Sequence, residues 1–220
     1  MPVITLSRQF GAGGNAVGRR VAELLQLDFL DSRLCEETAR RLQVPQETVR
    51  LWDERGEGVI LRLMKALQAA QPEALLGAPA SERGPGTMSE ADRIWWMEQE
   101  VIREQARTGR AIIVGRGGAF VLAGWPGVHH FRLVAPREAR IRRMCREAAW
   151  SAEEAARRID EADRQRTAFL KLNFNVEPAD LLHYALVLNT EVLGLEQTAR
   201  IISTVSSTRS GFRGWMSPCP

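Results

Sequence analysis

Residues Ile4 to Leu25, ITLSRQFGAGGNAVGRRVAELL, lead a strand-like run into three glycines within four positions and then into helical spacing. Backbone N–H groups converge at such a turn and the helix start adds partial positive charge, so the layout suits an anion, above all a phosphate. Gly11, Ala12, Gly13, Gly14, Asn15 and Ala16 are the candidate cradle, with glycine admitting positive φ and close approach of main chain to phosphate oxygens. A tight turn of purely structural purpose accounts for the same glycines. The usual phosphate loop reads G-x-x-x-x-G-K-[ST], with the lysine on the terminal phosphates and the hydroxyl on magnesium. Registered on Gly13, the first glycine becomes Arg8, the lysine becomes Gly14 and the hydroxyl becomes Asn15. A helix dipole offers a nearby anion only ~0.3–1 kcal/mol. A cation must therefore enter from elsewhere, and Arg8 and Arg19 are nearest along the chain.

Further charge lies downstream. Arg137, Arg140, Arg142, Arg143 and Arg146 stud one helical stretch, with Arg137 and Arg140 as candidates for the phosphate side and a solvated basic face as the competing reading. The segment RRIDEADRQR alternates in sign, with Arg157 spaced to pair with Glu161 and Asp160 with Arg164. Asp31 closes the short run DFLD and suits a helix N-cap, with Arg33 close behind it. Cys35, Cys145 and Cys219 are odd in number and far from one another, which argues against a disulfide framework or a zinc site. His129 and His130 read as strand-edge residues rather than ligands.

The elements that position these residues follow from periodicity. Strand-like runs fall at Val3 to Leu6, Ala111 to Val114, Val128 to Val134 and Ala185 to Leu188, and DFLD is a short additional strand. Helical patterns separate most of them, the signature of a parallel sheet flanked by helices. Helices are expected from about Glu36 to Leu42, from Pro45 to Trp52 and from Ser89 to Thr108, the last with Ile94, Met97, Val101 and Ile102 inward and Gly109 as C-cap. Ser151 opens a later helix, with Glu154 at capping-box spacing. Pro72 to Met88 loses periodicity and reads as a loop, and a loosely ordered tail starts at Ser206. The 220 residues, 45% hydrophobic and 26% charged with a net charge of +3, are those of a globular chain, and no apolar run approaches the ~20 residues of a membrane span. The N-terminus shows no export signal, so a cytoplasmic location is expected.

The loop segment, the VGRGG that ends the strand from Ala111, the block RLVAPREARIRRM, the helix RIDEADRQR and the late LVLNT occur in an order that resembles cytidylate kinases. The likeness is greatest to the cytidylate-kinase-like branch, where an S-R-x-x-G-x-G-G loop replaces the lysine-bearing one. It covers roughly Val3 to Ile202. The resemblance implies an α/β fold of P-loop type, a three-layer parallel sheet flanked by helices, with a helical acceptor-binding insertion over about 31–108 and a helical lid over about 150–175. Residues 1–205 would form this single domain and 206–220 a flexible tail. The family's G-R-D segment, which helps bind the pyrimidine nucleotide, corresponds to Gly115, Arg116 and Gly117, and Asp31 falls near the acceptor. The lid pattern R-x-x-D-x-x-R is matched by Arg157 and Asp160, with Asp163 at its last position and Arg164 and Arg166 just beyond.

The expectation is an ATP-dependent kinase of a small phosphorylated acceptor, a nucleoside monophosphate such as CMP, with Mg2+ bridging the donor phosphates and no protein metal ligand assigned. Arg8, Arg157 and Arg164 are the expected catalytic cations, and Asp31, Arg33 and Arg116 the acceptor-binding residues. Partners are nucleotide substrates and no membrane, and a homodimer is compatible with the chain. The competing reading is a nucleotide-binding regulatory or interaction module that has lost transfer chemistry, which Gly14 and Gly117 favour. Nucleic-acid binding by the basic helices ranks below both, because the arginines are interleaved with acids.

Overall fold

The computed structural model describes residues 2–30, 32–49 and 90–208. Asp31, the loop expected over 72–88, the middle of the acceptor-binding region and the tail beyond 208 lie outside the described residues. Five parallel strands make one sheet: β1 (Val3–Arg8), β2 (Asp28–Leu30), β3 (Ala111–Val114), β4 (Val128–Val134) and β5 (Leu186–Asn189), in the order β2-β3-β1-β4-β5. The central strand β1 pairs Ile4 with Ile112 of β3 and with His129 of β4. Its apolar, partly β-branched run fits a strand covered on both faces, as parallel sheets require. Alternation then sorts the side chains. Ile4, Leu6, Ile112, Val114, Phe131 and Leu133 bury one face, whereas Val3, Ala111 and Ile113 bury the other.

The first face is covered by α1 (Gly14–Leu25) and α8 (Leu195–Ser207), which contribute Val17, Val21, Ala199 and Ile202 to its core. Close approach of α1 to the sheet rests on Gly18, where a Cβ would fall 2.8 Å from Val114 Cγ2 and 2.9 Å from Phe29 Cε2. The second face is covered by α2 (Ser32–Leu42), α3 (Glu90–Thr108) and the short α4 (Gly118–Val121), through Leu34, Val101, Ile102 and Val121. Beyond the carboxyl ends of the strands lie α5 (Arg137–Ala148), the long α6 (Ala152–Phe174) and the four-residue α7 (Thr190–Leu193). Ser151 caps α6 as expected, its hydroxyl accepting from the Glu154 N–H at 3.1 Å.

Several expectations shift. Ser206 and Ser207 belong to α8, with Ser206 buried, so the ordered chain passes the expected tail boundary. Residues 46–49 are helical, and the rest of the expected Pro45–Trp52 helix is undescribed. On α3 the inward position after Ile94 is Glu98, while Met97 is only half-buried. His129 and His130 sit on β4, between β1 and β5, and are not on a sheet edge. His129 stacks on Phe131, and His130 shares a 2.7 Å hydrogen bond with the Thr5 hydroxyl. Among the described residues no helix is long and apolar enough to cross a membrane.

Candidate active site at the carboxyl ends of the strands

The glycine loop is the turn between β1 and α1, and its carbonyls are accounted for one by one. Gln9 O accepts from Ala12 N at 3.2 Å, and Gly13 O from Val17 N at 3.0 Å. Phe10 O accepts from Arg140 Nη1 at 3.0 Å, Gly11 O from Arg143 Nη1 at 2.8 Å and Ala12 O from the Thr190 hydroxyl at 2.9 Å. Gly11 and Gly13 hold φ of 76° and 80°, the left-handed region in which glycine carries no Cβ penalty. Gly14 and Asn15 then open α1, whose first N–H groups have no acceptor within the helix.

The position where a lysine would stand is filled from another direction. A Cβ on Gly14 would lie 2.7 Å from Cγ of Arg8, and one on Gly115 would lie 2.6 Å from Cζ of the same side chain. Arg8 thus runs from the end of β1 past the helix start and rests its guanidinium on the Gly115 turn. The two glycines make the groove in which it lies. Arg19, the other candidate, turns away and sits over the Phe29 ring at 4.8 Å.

Beside Arg8 opens a cavity of about 130 Å3, roofed by α6 and floored by the strand ends, to which Arg8, Arg116, Arg132 and Arg166 all contribute. Four separate elements deliver these guanidinium groups. Arg116 is held by an ion pair with Glu98, both largely buried. It also carries a φ of 56° between Gly115 and Gly117 at 80° and 62°, so three successive residues are left-handed. For a non-glycine residue that conformation costs roughly 1–2 kcal/mol, strain that tends to be kept where a side chain must be aimed. Arg132 points from β4 toward Tyr184, with its guanidinium 5.6 Å from the ring centre. Arg166 reaches from α6 to donate to Arg8 O at 3.3 Å, and lies 5.4 Å from the centre of the Phe10 ring.

Among the described residues the acid lining this cavity is Asp163, which accepts from Phe10 N at 2.9 Å and pairs with Arg140 at 2.5 Å. It clamps α6 to the loop. Gly117, for which the resemblance implies an aspartate, has no room for one, because a Cβ there would meet Phe174 Cε2 at 2.6 Å. Phe174 belongs to an aromatic group with Trp95 and Phe169, their rings meeting edge to face. Trp95 is therefore packed, whereas its chain neighbour Trp96 is exposed.

Of the residues singled out from sequence, Arg8 and Arg116 line this cavity, whereas the loop residues Gly11 to Ala16 do not, Gly14 lying against the Arg8 side chain. Asp31 and the side chain of Arg33 are outside the described residues. Arg157 and Arg164 are 67% and 73% exposed and line no part of the cavity. Their ion-pair partners differ from the spacing-based expectation: Arg157 pairs with Glu154, Arg164 with Glu161, and Asp160 with Arg137 of α5. An acid N-terminal to its arginine is the favoured order on a helix, and Arg137 draws Asp160 away. The Arg137 guanidinium holds the Asp160 carboxyl below its ordinary range, and Arg158 and Arg157 do the same to Glu154. Arg137 is thus a surface residue, whereas Arg140 and Arg143 are each only 6% exposed.

Arg132, Arg143 and Glu98 are site residues that the sequence reading did not single out, Asp163 and Arg166 entered it only beside the lid pattern, and periodicity carried a signal for Asp163, Arg166 and Glu98. Ala155 and Ile159 define the inward stripe of α6, and the next positions on it are Asp163, Arg166 and Leu170. Glu98 interrupts the stripe of Ile94, Val101 and Ile102 in the same way. A charged residue on a buried stripe must have a partner.

Comparison with known proteins agrees with this architecture. The model of the cytidylate kinase-like family matches residues 3–192. A cytidylate kinase from Methanopyrus kandleri is 35% identical over 108 residues, which make 46% of this chain, so the chain spans about half (56%) of that relative. Among solved structures, an uncharacterized protein from Eubacterium ventriosum superposes with a TM-score of 0.68 at 16% identity, over 94% of this chain and 99% of that one. A shikimate kinase from Bacteroides thetaiotaomicron gives a TM-score of 0.50 at 16% identity, over 93% and 97%. Such identities bear on the fold alone, a parallel sheet flanked by helices.

Proposed function

The chain belongs to the cytidylate kinase-like family, and from that membership we propose that it transfers the terminal phosphoryl group of ATP to a small phosphorylated acceptor, a nucleoside monophosphate such as CMP. Family and fold both point to a kinase. The observation that carries the finer reading is the convergence of Arg8, Arg116, Arg132 and Arg166 on one cavity at the strand ends. Four guanidinium groups beside a glycine loop suit two phosphorylated substrates meeting end to end.

In this reading the donor's phosphates lie on the loop N–H groups and against Arg8, which takes the place of the missing lysine. The acceptor's phosphate is held by Arg116 and Arg132, with Asp31 and Arg33 as further acceptor residues. An oxygen of that phosphate attacks the terminal phosphorus in line, ADP leaves, and no covalent enzyme intermediate forms. Charge spread over the transferred group is stabilised by Arg8 and by Arg166 from α6, which also helps exclude water. Arg166 thus assumes the role that the resemblance implied for Arg157 and Arg164, which remain outer-face residues able to engage only if α6 moves. Arginine suits these positions because it is planar, forked and permanently charged. Magnesium bound with the donor would supply charge shielding for its phosphates. Asn15, exposed at the start of α1, would be the residue to offer it an oxygen, its other ligands coming from phosphates and water.

The test is a transfer screen of ATP and magnesium against the common nucleoside monophosphates, with products read by mass. Conversion of one monophosphate to its diphosphate is expected. ATP binding without transfer to any acceptor would replace this reading by the regulatory module.

A further inference from the structure

Arg143 is the least explained charge near the site. It is 6% exposed, and its partners are neutral: Gly11 O at 2.8 Å and the Thr190 hydroxyl at 3.4 Å. Among the described residues it has no carboxylate, whereas its neighbour Arg140 has Asp163. A buried guanidinium without a counter-ion is costly, and its position is specific. Nη1 lies 3.4 Å from where a Cβ on Gly13 would stand.

We propose that Arg143 is a positioning residue that arms the glycine loop for the donor's polyphosphate, an inference that rests on the kinase reading above. In a trans peptide the C=O and N–H point in opposite directions. Arg140 draws the carbonyl of Phe10, so the N–H of Gly11 faces the other way. The Thr190 hydroxyl draws the carbonyl of Ala12, so the N–H of Gly13 does the same. Neither N–H has an acceptor among the described residues. Arg143 holds the carbonyl between these two and orients the Thr190 hydroxyl. Its uncompensated charge lies directly behind the nest of N–H groups. The cation that Gly14 cannot supply from within the loop is supplied from its back, through polarised peptide groups, while Arg8 supplies one from the front.

The ligand class is therefore a polyphosphate that can lie along the loop, and the probes are ATP and inorganic tripolyphosphate. In wild-type protein, either probe should shift the amide resonances of Gly11 and Gly13. Arg143→Met keeps length and apolar volume but removes the charge; it should weaken ATP and tripolyphosphate binding about 30-fold, diminish both amide shifts and leave the acceptor KM unchanged. Arg143→Lys should recover most of the affinity. A purely packing role predicts the reverse order, with methionine at least as good as lysine. If Arg143→Met does not fold, Thr190→Val, which frees Ala12 O at nearly constant volume, should blunt the Gly13 shift. Wild-type amide shifts with either variant, and affinity within twofold of wild type, would overturn the positioning role alone. No response of Gly11 and Gly13 to either probe in wild-type protein would overturn the role and the donor site together.

Discussion

Replacing Gly14 by alanine separates the stability of α1 from the placement of Arg8. Gly14 is the first residue of the helix and is not among the residues with positive φ, so its backbone accepts an L side chain without strain. Alanine is the better helix former by roughly 0.5–1 kcal/mol. For a chain of this size that corresponds to a rise of about 1–4 °C in Tm. The new Cβ, however, would stand 2.7 Å from Arg8 Cγ, 3.2 Å from its Cβ and 3.3 Å from its Cδ. Ordinary carbon contacts begin near ~3.5 Å, so Cγ must retreat by roughly 1 Å. It can do so by rotating about χ1, which swings the guanidinium off Gly115. Losing one charge-assisted hydrogen bond to a phosphate costs about 1.5–3 kcal/mol, about tenfold to 150-fold in ATP affinity. The expected pattern is a melting temperature within about 4 °C of wild type with weakened ATP binding by calorimetry. Part of the helix gain offsets the cost of moving Arg8, so the change in Tm is small in either direction. ATP affinity within twofold of wild type would refute the assignment of Arg8 as the loop's cation.

Three further outcomes are expected. Arg166→Ala should lower turnover by about a thousandfold with a much smaller effect on ATP affinity, whereas Arg157→Ala and Arg164→Ala, each losing one exposed pair, should change it little; steady-state and binding assays on the three variants decide between the faces of α6. Gly117→Asp, which restores the family's acid, should destabilise by about 1–3 kcal/mol in denaturant titrations because the carboxylate must displace Phe174, and it should confer no preference for CMP over other monophosphates. Burial pushes the His130 imidazole below its ordinary pKa, so the folded chain holds it neutral while the unfolded chain takes up a proton below about pH 6.5. Stability from this group is complete above that pH and falls as pH drops below it toward the lower folded-state value; His130→Gln should flatten that limb of a stability-against-pH curve, and an unaltered limb would remove His130 from the account.

The glycine-rich turn, the strand bounds of β3 and β4 and the Ser151 cap were legible because each follows from a local rule. A parallel strand buried on both faces reads as a β-branched apolar run, a turn needing left-handed φ reads as glycine, and a capped helix start reads as serine followed by glutamate three residues on. The resemblance in motif order extended that reading to the sheet and to the family. The membership of the site was a different problem. Arg8 and Arg166 are 158 positions apart, and nothing local to either says that one donates to the carbonyl of the other. Helical residues step by about 100° around the axis, so whether Arg164 or Arg166 enters the cavity depends on how α6 docks on the strand ends, through Asp163 to Phe10 and Arg140. The missing lysine shows the same division. Its absence is plain in the sequence, but only the folded chain puts Arg8 through the groove between Gly14 and Gly115 and Arg143 behind Gly11, because packing, not spacing, decides which charges share a volume.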